Sequence, residues 1–385
     1  MSKGQFPVAE FSKIETPFYY YDMNLLRQTL EKIKKETQGK KYFIHYALKA
    51  NANPVILKEI AAYGLGADCV SGNEVLKAIE CGFEPSKIVF AGVGKTDKEI
   101  NIGLDNDIYC FNVESLPEIE AISELAFKKQ KIAPLALRIN PNIDANTHKY
   151  ITTGLEENKF GLNESDLPQA LELISKSENL NLIGLHFHIG SQITDLSSYK
   201  RLCQRITEIT ENLAKQHFTF EMINVGGGLG IDYENPNENP MADFESYFGV
   251  FDQYLLLGEN QTLHFELGRS VVAASGSLIA NVIFIKEVAD KKFMILDAGM
   301  TELLRPALYQ AYHKIENLSS DLEHEVYDVV GPICESSDTF GENISLNKSH
   351  RGDIIAIRSA GAYGETMAST YNCRELPQSY FSDSF

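Results

Sequence analysis

Residues 42–51 read Tyr-Phe-Ile-His-Tyr-Ala-Leu-Lys-Ala-Asn, an apolar run that ends in a lysine, Lys49. The run has the length of a buried strand, and further strand-like runs follow it along the chain. A lysine amine just beyond a strand can form a Schiff base with a carbonyl compound, although most such lysines are ordinary surface charges. Whether Lys49 is a reactive amine or a surface charge therefore depends on where the fold places it.

Strand-like and helix-like segments alternate from residue 42 to residue 267, with helical patterns such as Pro54–Tyr63 and Leu116–Lys129 between the strands. This alternation predicts parallel strands joined by right-handed crossovers. Eight such units predict a closed (β/α)8 TIM-like barrel. The main alternative is an open doubly wound sheet, but no Gly-x-Gly-x-x-Gly motif opens the first unit. The predicted strands are Tyr42–Leu48, Leu65–Val70, Lys87–Val93, Asp107–Val113, Ala133–Asn140, Leu182–Ile189, Glu221–Val225 and Thr262–Leu267.

The pattern changes after Arg269, where short strand-like segments such as Ser277–Glu287 and Phe293–Leu296 are joined by turns. This predicts a second, mainly β domain, and we expect the strand-like run Thr16–Tyr21 to join it. The fold class is therefore α/β. We predict a barrel domain over residues 26–268 and a β domain formed by residues 1–25 and 269–385.

Composition narrows the class of protein. The chain has 385 residues, of which 44% are hydrophobic and 23% charged, as in ordinary globular proteins. The formal net charge of −18 disfavours nucleic-acid and anionic-membrane partners, because phosphate groups bind to basic surfaces. No N-terminal signal peptide or membrane-spanning run is evident. We therefore expect a cytoplasmic protein with six reduced cysteines.

Reactive groups of a (β/α)8 barrel lie at the carboxyl ends of its strands, and this chain meets that condition. Lys49 follows the first strand, His186 and His188 end the sixth, and Gly226–Gly230 follows the seventh. The glycine run lets backbone N–H groups approach a phosphate, unless it forms only a tight turn. His188 suits packing against a flat ring, and we expect His186 to be a hydrogen-bonded core residue. A metal at the two histidines is a weaker alternative, because no cluster of other ligands accompanies them.

Glu266 ends the eighth strand and indicates the type of reaction. A carboxylate beside a pyridine nitrogen keeps that nitrogen protonated, and a protonated ring accepts electrons from a carbanion. The alternative is a solvated acid at a strand end.

The predicted β domain contains a second group of candidate residues. Cys334 stands beside Glu335 and can act as an acid next to a carboxylate, unless it is a buried structural cysteine. Arg305 and Tyr309 are four residues apart, and an arginine fork suits a carboxylate ligand. The alternative for Arg305 is a surface ion pair. Tyr363 lies in a turn that says little alone.

The chain resembles the fold-type III pyridoxal-phosphate decarboxylases and, among them, the diaminopimelate decarboxylases. The likeness covers nearly the whole chain and implies the two-domain architecture of alanine racemases. One position departs from the family pattern, because Leu267 stands where proline is usual; we expect a small backbone adjustment without loss of function. The motifs, in order, are Tyr46–Asn51, His188–Gln192, Gly226–Gly230, Glu266–Arg269, Arg305–Tyr309, Cys334–Asp338 and Gly361–Tyr363.

The resemblance implies pyridoxal 5'-phosphate as the cofactor and gives each matched residue a role. Lys49 bonds to the cofactor, His188 stacks on its ring, and Glu266 pairs with the pyridine nitrogen. Cys334 returns a proton to the carbanion and Glu335 binds the distal ammonium of the substrate, both reaching in from the partner subunit of an obligate homodimer. The cofactor-binding residues would be Lys49, His188, Gly226, Gly227, Gly228, Glu266, Gly268, Arg269 and Tyr363. The substrate-binding residues would be Arg269, Arg305, Tyr309, Glu335 and Tyr363.

The implied reaction is decarboxylation of meso-2,6-diaminopimelate to L-lysine and CO2, the last step of lysine biosynthesis. A related ornithine, arginine or carboxynorspermidine decarboxylase is the nearest alternative, but such substrates lack the distal carboxylate that an arginine pair would bind. An amino-acid racemase and a non-catalytic pyridoxal-phosphate protein are further alternatives. Glu266 argues against the racemase, and joint retention of Lys49, Glu266 and Cys334 argues against an inert protein.

Residues 142–159 are a candidate lid.

Overall fold

The computed structural model describes residues 4–143 and 159–385, and the chain divides into two compact units. One unit comprises residues 30–230 and 243–268, and the other comprises residues 1–29, 231–242 and 269–385. The predicted domain boundaries kept residues 231–242 with the barrel, whereas the structure groups them with the second unit. The candidate lid at 142–159 lies almost entirely outside the described residues.

In the described part of the first unit, eight parallel strands close into a barrel in sequence order, which confirms the predicted fold. The first and eighth strands close it, with Tyr42 paired to Leu263 and Tyr46 to Leu267. The barrel strands, one to eight, are Tyr42–Ala47, Gly66–Cys69, Ile88–Phe90, Cys110–Val113, Ala133–Arg138, Leu180–His186, Met222–Asn224 and Thr262–Leu267. The α-helices between and around them are Met23–Thr37, Pro54–Ala62, Gly72–Glu80, Asp97–Asp105, Leu116–Lys129, Leu167–Ser175, Ser197–Ala214 and Phe244–Tyr254.

Side-chain caps fix the points where the chain leaves a strand and enters the next helix. The side chains of Ser71 and Ser115 each accept a hydrogen bond from the backbone N–H three residues further on. Thr96 and Glu99 form a reciprocal capping box. Each cap satisfies an N–H group that the helix itself leaves unpaired. These caps define the loops at the carboxyl end of the barrel, where the predicted reactive groups lie.

The second unit is built on a mainly antiparallel sheet. Its long strand Gly276–Val288 pairs with Phe18–Tyr21, Lys291–Leu296 and Ile354–Ile357. Phe18–Tyr21 also pairs, in parallel, with Gln378–Phe381. The remaining strands are Ile315–Asn317, His324–Val330 and Thr339–Asn347, and the short helices are Val8–Phe11, Arg269–Val272 and Arg305–Tyr309. No helix among the described residues is long and apolar enough to cross a membrane.

Candidate active site

Lys49 lies in a short 3-10 helix, Leu48–Ala50, directly after the first barrel strand. Its Nζ is 3.3 Å from Oδ2 of Asp68, which is fully buried on the second strand. Burial, together with the charge of Glu266, raises the pKa of Asp68 to about 7, although Lys49 opposes the shift. Oδ1 of Asp68 has no hydrogen-bond partner in the described part of the chain. The lysine therefore faces a carboxyl group that can hold or release a proton near neutral pH.

Glu266, on the eighth strand, is buried inside the barrel and receives three hydrogen bonds. The side-chain amides of Asn112 and Asn224 donate to its Oε1 at 3.0 and 2.8 Å, and Nε2 of His186 lies 3.0 Å from its Oε2. Burial alone would raise the pKa of Glu266, but His186 and then Lys49 outweigh it, and the pKa is lowered well below its usual range. The carboxylate is therefore ionised at neutral pH, and His186 is a hydrogen-bonded core residue.

The glycine turn after the seventh strand is held by two side chains from the barrel. The N–H of Gly226 donates to Oδ1 of Asn224 at 2.9 Å, and the N–H of Gly227 donates to Nδ1 of His188 at 3.2 Å. Burial lowers the pKa of His188 well below its usual value, and the nearby Arg138 and Lys49 lower it further. His188 is thus a neutral imidazole whose Nδ1 accepts. The N–H of Gly228 has no protein acceptor among residues 4–143 and 159–385, so it remains available to an anion.

Gly227 and Gly228 are required by close packing, whereas a Cβ on Gly268 would only be tightly placed. A Cβ on Gly227 would collide with the carbonyl oxygen of Glu266, and one on Gly228 would lie 2.6 Å from the carbonyl oxygen of Gly190. Gly228 also has a φ of +102°, which side chains rarely adopt. A Cβ on Gly268 would lie 3.0 Å from the Cβ of Ala50, beside Lys49. Leu267 is buried and pairs with Tyr46 in the strand ladder. Unlike the proline that is usual in the family, it has a backbone N–H group.

In the second unit, Arg269 is buried and braced by two tyrosines. Its Nη1 donates to the hydroxyl of Tyr233 at 2.7 Å, and its guanidinium lies 4.9 Å from the centroid of the Tyr363 ring. Tyr363 has a left-handed backbone with φ +56°, an unusual conformation for a bulky residue. Burial would raise the pKa of Tyr233, but Arg269 and Arg305 lower it below its usual value.

Arg305 is buried in the same unit and is braced from two sides. Its Nη1 lies 2.7 Å from Nε2 of His313, and its guanidinium lies 5.0 Å from the centroid of the Tyr233 ring. His313 donates from Nδ1 to the carbonyl of Arg358 at 2.8 Å, so its Nε2 accepts from Arg305. Burial and Arg305 lower the pKa of His313 to about 3. Tyr309, predicted with Arg305, ends the same short helix and is partly buried.

Cys334 and Glu335 are exposed on the second unit, on a loop that Asp338 organises. Asp338 is buried and accepts hydrogen bonds from the backbone N–H groups of Met300 and Ile333, at 2.6 and 2.7 Å. The alternative of a buried structural cysteine is therefore wrong for Cys334. Both predicted residues face outward on a well-anchored loop.

Several residues of these networks were missed by the sequence analysis. Tyr233 was not among the predicted site residues, but it is buried between two arginines. Asp68 was also missed, although an acidic residue inside a predicted buried strand could have marked it as a candidate. The other missed residues are Asn112, Asn224 and His313. Among the described residues, no cluster of three His, Cys, Asp or Glu side chains could hold a metal.

The barrel, its strand-end lysine and its buried carboxylate define a class of protein. Residues 23–273 match the family model described as "Pyridoxal-dependent decarboxylase, pyridoxal binding domain". The chain is 57% identical over 382 residues to the diaminopimelate decarboxylase of Bacteroides thetaiotaomicron, covering 99% of both chains. It is 43% identical to that of Helicobacter pylori strain J99, over 94% of this chain and 89% of the relative. The chain belongs to the diaminopimelate decarboxylase family.

Solved structures agree with this assignment. The crystal structure of Helicobacter pylori diaminopimelate decarboxylase complexed with L-lysine matches with a TM-score of 0.92 and 41% identity, covering 98% of this chain and 94% of that one. The arginine decarboxylase of Paramecium bursaria Chlorella virus matches with a TM-score of 0.86 but only 22% identity, and so shares the fold alone.

The residues of the barrel fit pyridoxal phosphate, the cofactor of this family. A lysine amine stands at the strand end, a buried carboxylate stays ionised inside the barrel, and the Gly228 N–H has no acceptor among the described residues and can donate to an anion. When bound, the cofactor supplies an electron sink for the pair released by the departing carboxylate.

Proposed function

We propose that this chain converts meso-2,6-diaminopimelate to L-lysine and CO2, with pyridoxal phosphate as cofactor. The observation that carries the choice of substrate is the pair of buried guanidinium groups, Arg269 and Arg305, near the shared Tyr233. Burial lowers the pKa of Arg305, and Arg269 lowers it further, while the tyrosines oppose the shift. An anionic ligand relieves this repulsion, and the distal carboxylate of diaminopimelate supplies one. Ornithine and arginine carry no such group.

The relatives support the same choice. The matched Helicobacter pylori structure contains L-lysine, which is the product in this proposal. We propose that Arg269, Arg305 and Tyr309 hold the distal carboxylate, as the family motifs imply, and that Tyr363 completes the group.

At the barrel, we propose that Lys49 anchors the cofactor and that Asp68 exchanges a proton with its Nζ. The 3.3 Å separation allows direct transfer, and the raised pKa of Asp68 matches neutral conditions. Glu266 holds its negative charge toward the pyridine nitrogen. His188, as a neutral ring, packs against the cofactor. Phosphate binding falls to the N–H of Gly228, together with Gly268, Arg269 and Tyr363, while Gly226 and Gly227 provide the close approach.

We propose that Cys334 and Glu335 act across the interface of a homodimer, Cys334 as the proton donor to the carbanion and Glu335 as the ligand of the distal ammonium. Their exposure on an anchored loop supports this role. Mixing Lys49→Ala with Cys334→Ala subunits tests it. Each variant alone would be inactive, but random reassociation of a symmetric dimer restores one complete site in half of the dimers, or about a quarter of full activity. No recovery after verified subunit exchange would refute the shared site.

The reaction itself is tested by CO2 release with diaminopimelate, ornithine and arginine offered in parallel. Release from diaminopimelate alone, with lysine accumulating, is the expected result. Release from ornithine or arginine would overturn the roles given to Arg305 and Glu335. The variant Glu335→Ala should lose most turnover of diaminopimelate, whereas Glu342→Ala, an exposed carboxylate on the same unit, should not. A cytoplasmic location stays a prediction.

A further inference from the structure

A cavity of about 320 Å³ opens at the amino-terminal ends of the barrel strands, the end of the barrel opposite to Lys49 and Glu266. Its size is within the range of small-molecule sites. Every residue that lines it belongs to the barrel unit, and none takes part in the proposed reaction. The amino-terminal face of such barrels ordinarily serves stability, so an open cavity there needs its own explanation.

One wall of the cavity is a set of nearly parallel rings centred on His264. The ring of Phe43 lies 4.9 Å from it at 20°, that of His45 at 5.1 Å and 16°, and that of Tyr109 at 5.4 Å and 10°. Phe43 is 45% exposed although it is a large apolar side chain. The barrel therefore presents a flat aromatic surface that its own side chains do not cover completely.

A hydrogen-bond chain holds the two histidines of this wall in one orientation. Nδ1 of His45 lies 3.0 Å from the carbonyl oxygen of Lys87 and must donate to it. Its Nε2 then accepts from Nδ1 of His264 at 2.8 Å, which leaves Nε2 of His264 facing the hydroxyl of Thr262 at 3.0 Å. Burial lowers the pKa of His45 to about 4 and that of His264 well below its usual value. The wall is thus neutral and preorganised, as stacking on a planar ligand requires.

The polar lining of the cavity is basic. Lys34 and Lys87 line it, and no carboxylate does within the described residues. Lys87 is paired with Glu84 at 2.8 Å, whereas exposed Lys34 has no carboxylate within ion-pair distance in the described part of the chain. In a chain of net charge −18, an unneutralised lysine beside an aromatic wall favours an anionic group on the ligand.

We propose that this cavity binds a planar aromatic or heteroaromatic small molecule that carries an anionic substituent. The ligand ring stacks on the exposed ring of Phe43, which the buried His264 supports, and the anion pairs with Lys34. The site is separate from the one that holds cofactor and substrate, and it contacts the first and eighth strands, whose other ends carry Lys49 and Glu266.

Indole-3-acetate is a suitable probe, because the chain contains no tryptophan and the probe is then the only indole in solution. Its emission would be titrated against the cofactor-loaded protein in the presence of excess L-lysine, which fills the proposed active site. Saturable binding that L-lysine does not displace is the expected result. Absence of saturation, or displacement by L-lysine, would overturn the proposal.

Three variants locate the binding. Phe43→Ala should weaken it by about three- to tenfold, as expected for loss of one aromatic stacking partner. Lys34→Gln should weaken the binding of indole-3-acetate by about two- to fivefold and leave the binding of neutral indole unchanged, as expected for loss of an exposed ion pair. Phe284→Ala, another half-exposed phenylalanine but in the second unit, is the matched control and should bind as the unmodified chain does. Equal affinity of Phe43→Ala and Phe284→Ala, with CO2 release retained in both, would refute the site.

Discussion

Asn224 joins two parts of the site that the sequence motifs treat as separate, and replacing it should reveal the connection. Its Nδ2 donates to Glu266 at 2.8 Å, and its Oδ1 accepts from the N–H of Gly226 at 2.9 Å. Asn112 donates to the same oxygen of Glu266 at 3.0 Å but holds no part of the glycine turn. Both asparagines are fully buried. Replacing each asparagine by leucine therefore distinguishes the hydrogen bond to the Glu266 carboxylate, which both make, from the hydrogen bond to the glycine turn, which only Asn224 makes.

The expected magnitudes follow from these contacts. Asn112→Leu removes one hydrogen bond to a charged acceptor, which should lower the free energy of unfolding by about 1.5–3 kcal/mol. Asn224→Leu removes an equivalent bond and also leaves the N–H of Gly226 buried without its acceptor, which adds about 1–3 kcal/mol. The total for Asn224→Leu is about 2.5–6 kcal/mol, a large share of the stability of a typical domain.

The assay is urea denaturation combined with titration of pyridoxal phosphate. Asn224→Leu should weaken cofactor affinity more than Asn112→Leu does, because only the former releases the turn that precedes Gly228. The slope of the unfolding transition should be the same in both variants, so that midpoints compare stability directly. Equal losses of stability and of cofactor affinity in the two variants would refute the bridging role of Asn224.

Three further changes test other contacts. Gly227→Ala should lower cofactor affinity at least tenfold, because its Cβ would collide with a backbone carbonyl of the eighth strand, whereas Gly94→Ala, with open space around it, should titrate as the unmodified chain does. Arg305→Lys keeps the charge but loses the fork, so the KM for diaminopimelate should rise by about ten- to a hundredfold; an unchanged KM would contradict the role of Arg305. Asp68 has a folded pKa above its unfolded value, so its contribution to stability is present at low pH and is lost as pH rises toward about 7. Between roughly pH 5 and pH 8, the free energy of unfolding of Asp68→Asn should therefore rise by about 2–3 kcal/mol relative to that of the unmodified chain, as measured by urea unfolding. A difference between the two proteins that does not depend on pH would show that the carboxyl titrates normally.

The barrel and the reactive strand ends were predictable because they follow from local signals. Alternating periodicity defines parallel strands, and the carboxyl ends of those strands must meet at one face. Lys49, His188 and Glu266 each lie at such an end, so predicting the fold was enough to predict that they lie in one unit. The strand boundaries differ from the predicted ones by a few residues, because the runs of apolar residues extend into the adjoining loops.

The supporting residues were less predictable because their roles depend on register between distant strands. Asn112 and Asn224 reach Glu266 only because the fourth, seventh and eighth strands direct these side chains to the same level inside the barrel. A sequence with polar residues inside apolar runs indicates buried polar groups but not their partners. Tyr233 was missed for a different reason. Its neighbours are typical of a surface loop, and only long-range packing places its ring against Arg305 and its hydroxyl on Arg269.

The barrel interior separates an ionised group from neutral ones along the same two strands. His45 is paired in register with Glu266, and the charge of Glu266 would by itself raise the pKa of His45. Burial outweighs that effect, so His45 stays neutral and joins the amino-terminal histidine pair, while His186 supplies the hydrogen bond at the carboxylate. A protonated His45 would neutralise part of the negative charge of Glu266, which we propose faces the pyridine nitrogen of the cofactor. His45 donates a hydrogen bond to a backbone carbonyl and accepts one from His264, and both bonds favour its neutral form. The two ends of the barrel have different chemistry because each buried imidazole has a different fixed partner.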